Sequence, residues 1–466
     1  MIKKFVQIFI FLSIIGLAFF VRKKEYYQIP IPGQSVDEYS YSWVGLSLIK
    51  TGMPIGISGI PGYQNQHDRY INVDRYMQVI PSDPLSINYP WMDHPPLLGL
   101  ITGGYAFISG ARVFEDTTAL LIRRPIIVIG TISVVLIMIF VWINFNFVTS
   151  ILSGLVYATT PLIVLSSRMI QAENAIIPCL LAVMISLSLF FKTKKDVWLI
   201  IAAIFSGVAT LFKLTGIVCY LIVFFSLLYQ NQKFNQKFFK DFIFYLLISL
   251  PISALFIFYG LAYGAKNFIT ILFSNANRFY GIGPNAIIDL IRSQRLTQHK
   301  FLPEIWLIVG WFAFMFSFFK KKKSPATFLI FISLISYLII YLFFGSQPYG
   351  WYTFPFWPLL ILSLTSFFYD TLKKGNNILL AFFISLTLLG SNISRVVGIF
   401  DFQPMANWWR IITPISFFIL VINYIQKKTC HIFIKVLIIL FLLTTIYFNL
   451  RYLNQINIDF WWQNIS

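Results

Sequence analysis

PPLLGLITGGYAFISG, residues 95–110, is the stretch on which the topology of this chain turns. It is apolar, yet it holds four glycines and two prolines. At about fifteen residues it falls short of the roughly twenty that a helix needs to cross a hydrocarbon core. If it did cross, everything after it would be inverted. Longer apolar runs lie on both sides. The first covers residues 5–21, and twelve more begin near Arg124, Phe147, Ala172, Val197, Thr215, Asp241, Pro303, Ala326, Thr353, Asn376, Ile411 and Ile432. Each is roughly 17 to 22 residues long, enough to span about 30 Å as a helix whose backbone hydrogen bonds are all internal. Mean hydropathy over the chain is +0.76. A soluble catalytic domain would show alternating or 3.6-residue polarity, and none is present.

The lysines decide how residues 95–110 are read, because short cytoplasmic connectors are enriched in them. Let the N-terminus be cytoplasmic and let 95–110 lie on or dip into the outer face. Then Lys192, Lys194 and Lys195 fall inside, as do Lys233, Lys237 and Lys240, the four lysines of residues 320–323, Lys373 with Lys374, and Lys427 with Lys428. A crossing at 95–110 would turn every one of these clusters outward. The sequence therefore predicts an all-α polytopic membrane protein of about 13 transmembrane helices in the plasma membrane, with its N-terminus cytoplasmic and its C-terminus outside. The first run ends in Arg22-Lys23-Lys24 and lacks a small-x-small cleavage site, so it reads as an uncleaved span.

The formal charge of +19 would suit a nucleic-acid partner. The basic residues sit instead at the ends of apolar runs, where membrane topology places them, and nucleic acid is set aside. Cys179, Cys219 and Cys430 lie in or beside apolar runs and read as small hydrophobes. Two regions follow. Residues 1–264 form a transmembrane core with a large first outer loop, 22–123, that carries surface helices. Residues 265–466 form a C-terminal region with a second outer loop, 265–302, and a tryptophan-rich outer segment, 392–409.

Candidate chemistry collects on the outer side. VDEYSYSW, residues 36–43, places Asp37 and Glu38 about sixteen residues past the first span. They read either as a solvated acidic pair or as a general base held at the membrane surface. Neighbouring side chains of an extended segment point in opposite directions, so only one of the two can face an acceptor. NYPWMDHPPL, residues 88–97, puts Asp93 and His94 at the start of the surface helix. Asp93 reads as its cap, or the helix start and His94 together hold an anion such as phosphate. Arg124 opens the second span on the outer side, against the positive-inside trend, which invites a functional reading. SSRMIQAEN, residues 166–174, reads as an outer turn with an Arg168–Glu173 ion pair, and TLFKLTGI, residues 210–217, holds Lys213 with no neighbouring charge. Carboxylates and cations converging at one membrane face suit a substrate that is half lipid and carries phosphate.

In this order the residues resemble the polyprenol-dependent glycosyltransferases of the GT-C fold, close to the protein O-mannosyltransferases and the lipid A aminoarabinose transferases. The resemblance is carried by Asp37-Glu38, Asp93-His94-Pro95-Pro96-Leu97, Arg124-Pro125, Ser167-Arg168 with Glu173, Lys213, and Trp351-Tyr352-Thr353-Phe354-Pro355 with Pro358. It is clearest over the first 230 or so residues. It implies a GT-C fold and transfer of a sugar, with inversion, from a polyprenyl-phosphate donor to a protein, lipid or glycan acceptor on the outer face. It makes Asp37, with Glu38 beside it, the catalytic carboxylate. His94 is implied at the donor phosphate, with Asp93, Arg124, Arg168, Glu173 and Lys213 completing the substrate site. The histidine stands where the aminoarabinose transferases have lysine, which leaves the sugar open, and Glu173 stands where Asp is usual. No cofactor is implied, and a divalent metal stays open. A polysaccharide polymerase or ligase would also use outer loops. A flippase or transporter would instead place charges at the bilayer midplane, often with inverted repeats.

Overall fold

The computed structural model describes residues 2–35, 37–71, 73, 84–277, 284–292, 294–297, 302, 304–319, 323–344, 349–375, 377–401, 403–425 and 430–457. The chain opens with α1 (Ile2–Lys23). The segment that follows holds α2 (Asp37–Thr51), the strands β1 (Gly56–Ile57), β2 (Asn65–Arg69) and β3 (Leu85–Tyr89), then α3 (Leu97–Ile108) and a single turn, α4 (Ala119–Ile122). Next come α5 (Arg124–Asn144), α6 (Phe147–Thr159), α7 (Pro161–Ser166), α8 (Ala172–Thr193), α9 (Asp196–Phe212), α10 (Val218–Asn231) and α11 (Gln236–Ala262). The remainder is α12 (Ala265–Ala276), α13 (Pro284–Arg292), α14 (Ile305–Phe318), α15 (Pro325–Phe344), α16 (Phe356–Lys374), α17 (Ile378–Asp401), α18 (Gln403–Ile425) and α19 (Cys430–Gln455).

The long apolar runs form helices because hydrocarbon offers no partner for backbone N–H and C=O groups. Among the described residues, eight helices have the length and composition of a membrane crossing, and six shorter apolar helices accompany them. Eight of the thirteen predicted crossings coincide with the long helices; the other five coincide with shorter apolar helices, so a count of thirteen crossings is not reached by length and composition, and the sixth short helix is α3. One short helix has a visible cause. The chain leaves α6 at Thr160, whose ψ of 116° is the extended backbone favoured before proline, and α7 restarts with Pro161. Residues 392–409, expected as an outer segment, are helical wherever described, within α17 and α18. One buried apolar cluster extends from Ile14 to Ile456.

Two features position the site. First, α2 and α3 meet backbone to backbone. A Cβ on Gly45 would strike the Gly99 carbonyl, and one on Gly103 would strike the Ser42 carbonyl and the Leu46 nitrogen. Gly99 and Gly103 share one face of α3, the small-xxx-small arrangement that lets helices approach this closely. Ser42 Oγ adds a 3.1 Å hydrogen bond to Thr102 Oγ1 across the contact. Second, an antiparallel sheet in the order β1–β3–β2, which the sequence reading did not anticipate, pairs Gly56 with Asn88 and His67 with Ile87. Its central strand leads directly into residues 90–94. A second apolar cluster of Ile60, Met92, Phe256, Phe268 and Ile271 seats that segment against α11 and α12.

Candidate active site

Asp37 and Glu38 are the first two residues of α2, and their roles divide at once. The Glu38 carboxylate is 1% exposed and accepts from Arg123 through both oxygens, at 2.8 Å from Nε and 2.7 Å from Nη2. The Ile170 amide donates to it as well, at 3.1 Å. Arg123 spends its remaining Nη1 on the carbonyls of Tyr26 and Pro30. Glu38, expected beside Asp37 as part of the catalytic pair, is instead a buried counter-ion that ties α2 to the start of α5 and the turn before α8. Asp37 is half-buried. The segment is a helix start and not the extended strand assumed above, so the two side chains diverge by about 100° and not 180°.

Asp37 and Tyr41 lie one turn apart on the same face of α2. Burial, then the charge of Asp37, then Glu173, Tyr352 and Asp93, pushes the Tyr41 hydroxyl well above its ordinary range. Tyr41 therefore lies within electrostatic reach of all four residues. Its ring stacks on His94, with centroids 5.9 Å apart, and Trp91 meets His94 edge-on at 6.0 Å. Asp93 does not cap α3 as expected. The cap position is Pro96, with no side-chain hydrogen bond, because the two prolines turn Asp93 away from the helix start. Asp93 Oδ1 accepts from the Tyr63 hydroxyl at 2.5 Å, and burial and Asp93 together hold that hydroxyl protonated far above its usual range. Asn275 of α12 donates to the Asp93 carbonyl at 2.8 Å, and Tyr259 of α11 donates to the Trp91 carbonyl at 2.8 Å.

The predicted Arg168–Glu173 pair is not formed. Arg168 is buried and donates to the carbonyls of Ile29 (3.0 Å) and Val21 (2.8 Å). Glu173 pairs instead with Lys213, Nζ to Oε1 at 2.5 Å, with both side chains buried. Lys213, read above as isolated, thus has a counter-ion forty residues away in sequence. Its ammonium also sits 4.0 Å from the centroid of the Tyr352 ring, and Asp37 lies within its electrostatic reach. Tyr352 belongs to the aromatic-proline segment and is fixed by Tyr337, whose hydroxyl donates to its carbonyl at 3.0 Å. Arg124 is exposed and donates to the hydroxyls of Tyr26 (3.2 Å) and Tyr105 (3.4 Å), at the rim and outside this cluster.

The structure therefore gathers Asp37, Asp93, His94, Glu173 and Lys213, together with Tyr41 and Tyr352. It assigns Glu38 and Arg168 to the scaffold. Sequence reasoning passed over Arg123 for its neighbour and gave Tyr41 no role; four-residue spacing from Asp37 was the available signal. Of the basic residues in 265–302, Arg278 and Lys300 lie outside the described residues. Among the described residues, no three His, Cys, Asp or Glu side chains are grouped to hold a metal ion.

Residues 93–259 match the family described as dolichyl-phosphate-mannose-protein mannosyltransferase. The matched stretch contains Asp93, His94, Arg124, Arg168, Glu173 and Lys213. ArnT from Cupriavidus metallidurans in the apo state has a similar fold, with a TM-score of 0.55, 12% identity, and coverage of 97% of this chain and 77% of ArnT. The chain has the same fold as this protein. The same ArnT bound to undecaprenyl phosphate aligns with a TM-score of 0.54 and 12% identity, over 96% of this chain and 76% of ArnT. No curated protein matches it in sequence.

The start of α2 rests on the Glu38–Arg123 pair, which gives a first prediction. Removing one partner strands a buried charge, at a cost of about 3–5 kcal/mol. Glu38→Gln is therefore expected to lower the thermal midpoint sharply, while Asp37→Asn, at a half-buried position, leaves it nearly unchanged. Thermal unfolding of the two purified variants in detergent checks this, and equal midpoints would contradict it.

Proposed function

We propose that this chain moves a sugar from a polyprenyl-phosphate donor to an acceptor on the outer face of the plasma membrane, inverting the anomeric centre, with Asp37 as general base. The observation that carries the reading is the division within α2: Arg123 occupies Glu38, and Asp37 shares a helix face with Tyr41 beside His94 and near Lys213. The ArnT structure with undecaprenyl phosphate supports the donor class.

The chemistry follows from the arrangement. The acceptor hydroxyl gives its proton to the Asp37 carboxylate while its oxygen bonds to the anomeric carbon. The bond from that carbon to the phosphate oxygen breaks as an oxocarbenium-like transition state passes, and the phosphate leaves with the electron pair. Charge gathers on the departing phosphate, where His94 and Lys213 supply preorganised donors in a poorly hydrated setting. Glu173 holds the Lys213 ammonium in place, and Tyr63 and Asn275 do the same for the Asp93–His94 segment. Arg124, at the rim, meets the phosphate on entry.

Removing a general base costs about 10²–10⁴ in rate. Asp37→Asn is expected to show that loss while binding donor like the parent, in a transfer assay with a panel of polyprenyl-phosphate sugars. Parent-rate transfer by this variant would overturn the reading.

A charge-assisted hydrogen bond to the donor is worth about 1.5–3 kcal/mol, or roughly 10- to 150-fold in affinity. Lys213→Met is expected to lose affinity by that factor and also stability, since Glu173 is left buried without its partner. Lys213→Met with Glu173→Gln should recover the thermal midpoint but not the affinity. Parent-like donor binding by the double variant would make the pair purely structural.

The orientation has its own test. A cysteine at Asp68 should react with an impermeant thiol reagent in intact cells, and one at Lys194 only after permeabilisation. The reverse pattern would place the site on the cytoplasmic face.

A further inference from the structure

A groove of about 620 Å³ lies among α6, α14, α16 and α19, a volume within the roughly 300–1,000 Å³ of typical ligand pockets. One wall is α16 from Ile361 to Lys373, and Leu152, Val156, Trp306 and Leu442 face it. The twelve steps of helix from Ile361 to Lys373, at about 1.5 Å each, make that wall about 18 Å long. A hydrocarbon core is about 30 Å thick, so the groove is about as deep as one leaflet. The helix α16 starts beside Tyr352 and ends at Lys374, which places the Lys373 end about 30 Å from the active site along the axis.

The two ends of the groove differ chemically. Its length is lined mainly by apolar side chains, with the hydroxyls of Thr149, Ser153 and Thr365 among them. Its mouth holds Asn146, Tyr369 and exposed Lys373, whose Nζ donates to the Tyr369 hydroxyl at 3.0 Å. Lys374 beside it is 3.5 Å from Asp370. Among the described residues that line it, none is acidic and Lys373 is the single cation. An apolar slot one leaflet deep, with a cation and hydrogen-bond donors at the headgroup level, is complementary to a lipid bearing negative charge.

We propose that this groove seats one acyl chain of an anionic phospholipid from the leaflet opposite the active site, with its phosphate against Lys373. The lipid fills the space between α6 and α16. This site is separate from donor binding, because a donor phosphate at His94 and Lys213 lies at the other end of the bundle.

Native mass spectrometry of the full chain, purified in detergent with phosphatidylglycerol and phosphatidylcholine in equal amounts, tests the proposal. The parent should retain one phosphatidylglycerol in preference to phosphatidylcholine. Leu152→Trp, which fills the slot, should reduce retention by about tenfold or more, and Lys373→Glu should abolish the preference for the anionic lipid. Lys373→Gln, at an exposed position, gives the same readout if the tryptophan variant does not fold. Equal retention of both lipids by the parent would overturn the proposal. So would unchanged phosphatidylglycerol in the rim variants, or loss of added undecaprenyl phosphate in place of phospholipid when the slot is filled.

Discussion

The fork of hydrogen bonds from Arg123 to Glu38 sets where the first turn of α2 lies, and the rest of the site is built outward from that turn. Both charges are out of water, so each is tolerated only while the other is present. Every donor of the fork is directed: two to the carboxylate, one to the carbonyls of Tyr26 and Pro30. The pair therefore joins the end of α1, the start of α2, the start of α5 and the turn before α8 at one point. A pair of this kind adds little net stability against apolar residues of the same shape. What it does here is fix direction. With Glu38 held inward, Asp37 points along the Tyr41 face of the same helix.

The glycine contact between α2 and α3 extends that order to the second half of the site. Because Gly45, Gly99 and Gly103 leave no side chain between the helices, α3 cannot slide without a backbone collision. The segment before α3 is thereby delivered to Tyr41, and His94 packs between Tyr41 and Trp91. The helices α11 and α12 close the arrangement from the far side through Tyr259 and Asn275. Lys213 enters from the end of α9, where the backbone is extended, and its charge is met by Glu173 and by the face of Tyr352. A lysine placed between a carboxylate and a ring in a buried setting keeps its ammonium oriented, which is what a developing phosphate charge requires.

Much of the plan was legible in the chain. Apolar run length reports membrane crossing because the bilayer leaves the backbone no alternative, and each of the thirteen runs does form helix. The order of Asp37, Asp93-His94, Arg124, Glu173 and Lys213 pointed to the GT-C fold. The pairings were not legible. Lys213 finds Glu173 across forty residues, and no local period encodes that contact, whereas nearby Arg168 was the tempting partner. Of the adjacent Arg123 and Arg124, one is fully buried and one exposed, a difference fixed by how α5 meets α2 and invisible in a run of two identical residues. Residues 37–43, taken above as extended, are helical, because the close glycine contact with α3 outweighs the weak helix preference of serine, tyrosine and tryptophan.

The claim at the centre of this account is that the carboxylate at position 37 takes the acceptor proton. The pH dependence of single-turnover sugar transfer tests it most directly, with donor saturating so that binding is not read. In the parent, the rate should fall as pH drops through the titration of Asp37, because only the ionised form accepts a proton. In Asp37→Asn, the residual rate should be flat across the same range. A surviving acid limb in Asp37→Asn, with the same midpoint as in the parent, would assign the base to another residue and contradict the account.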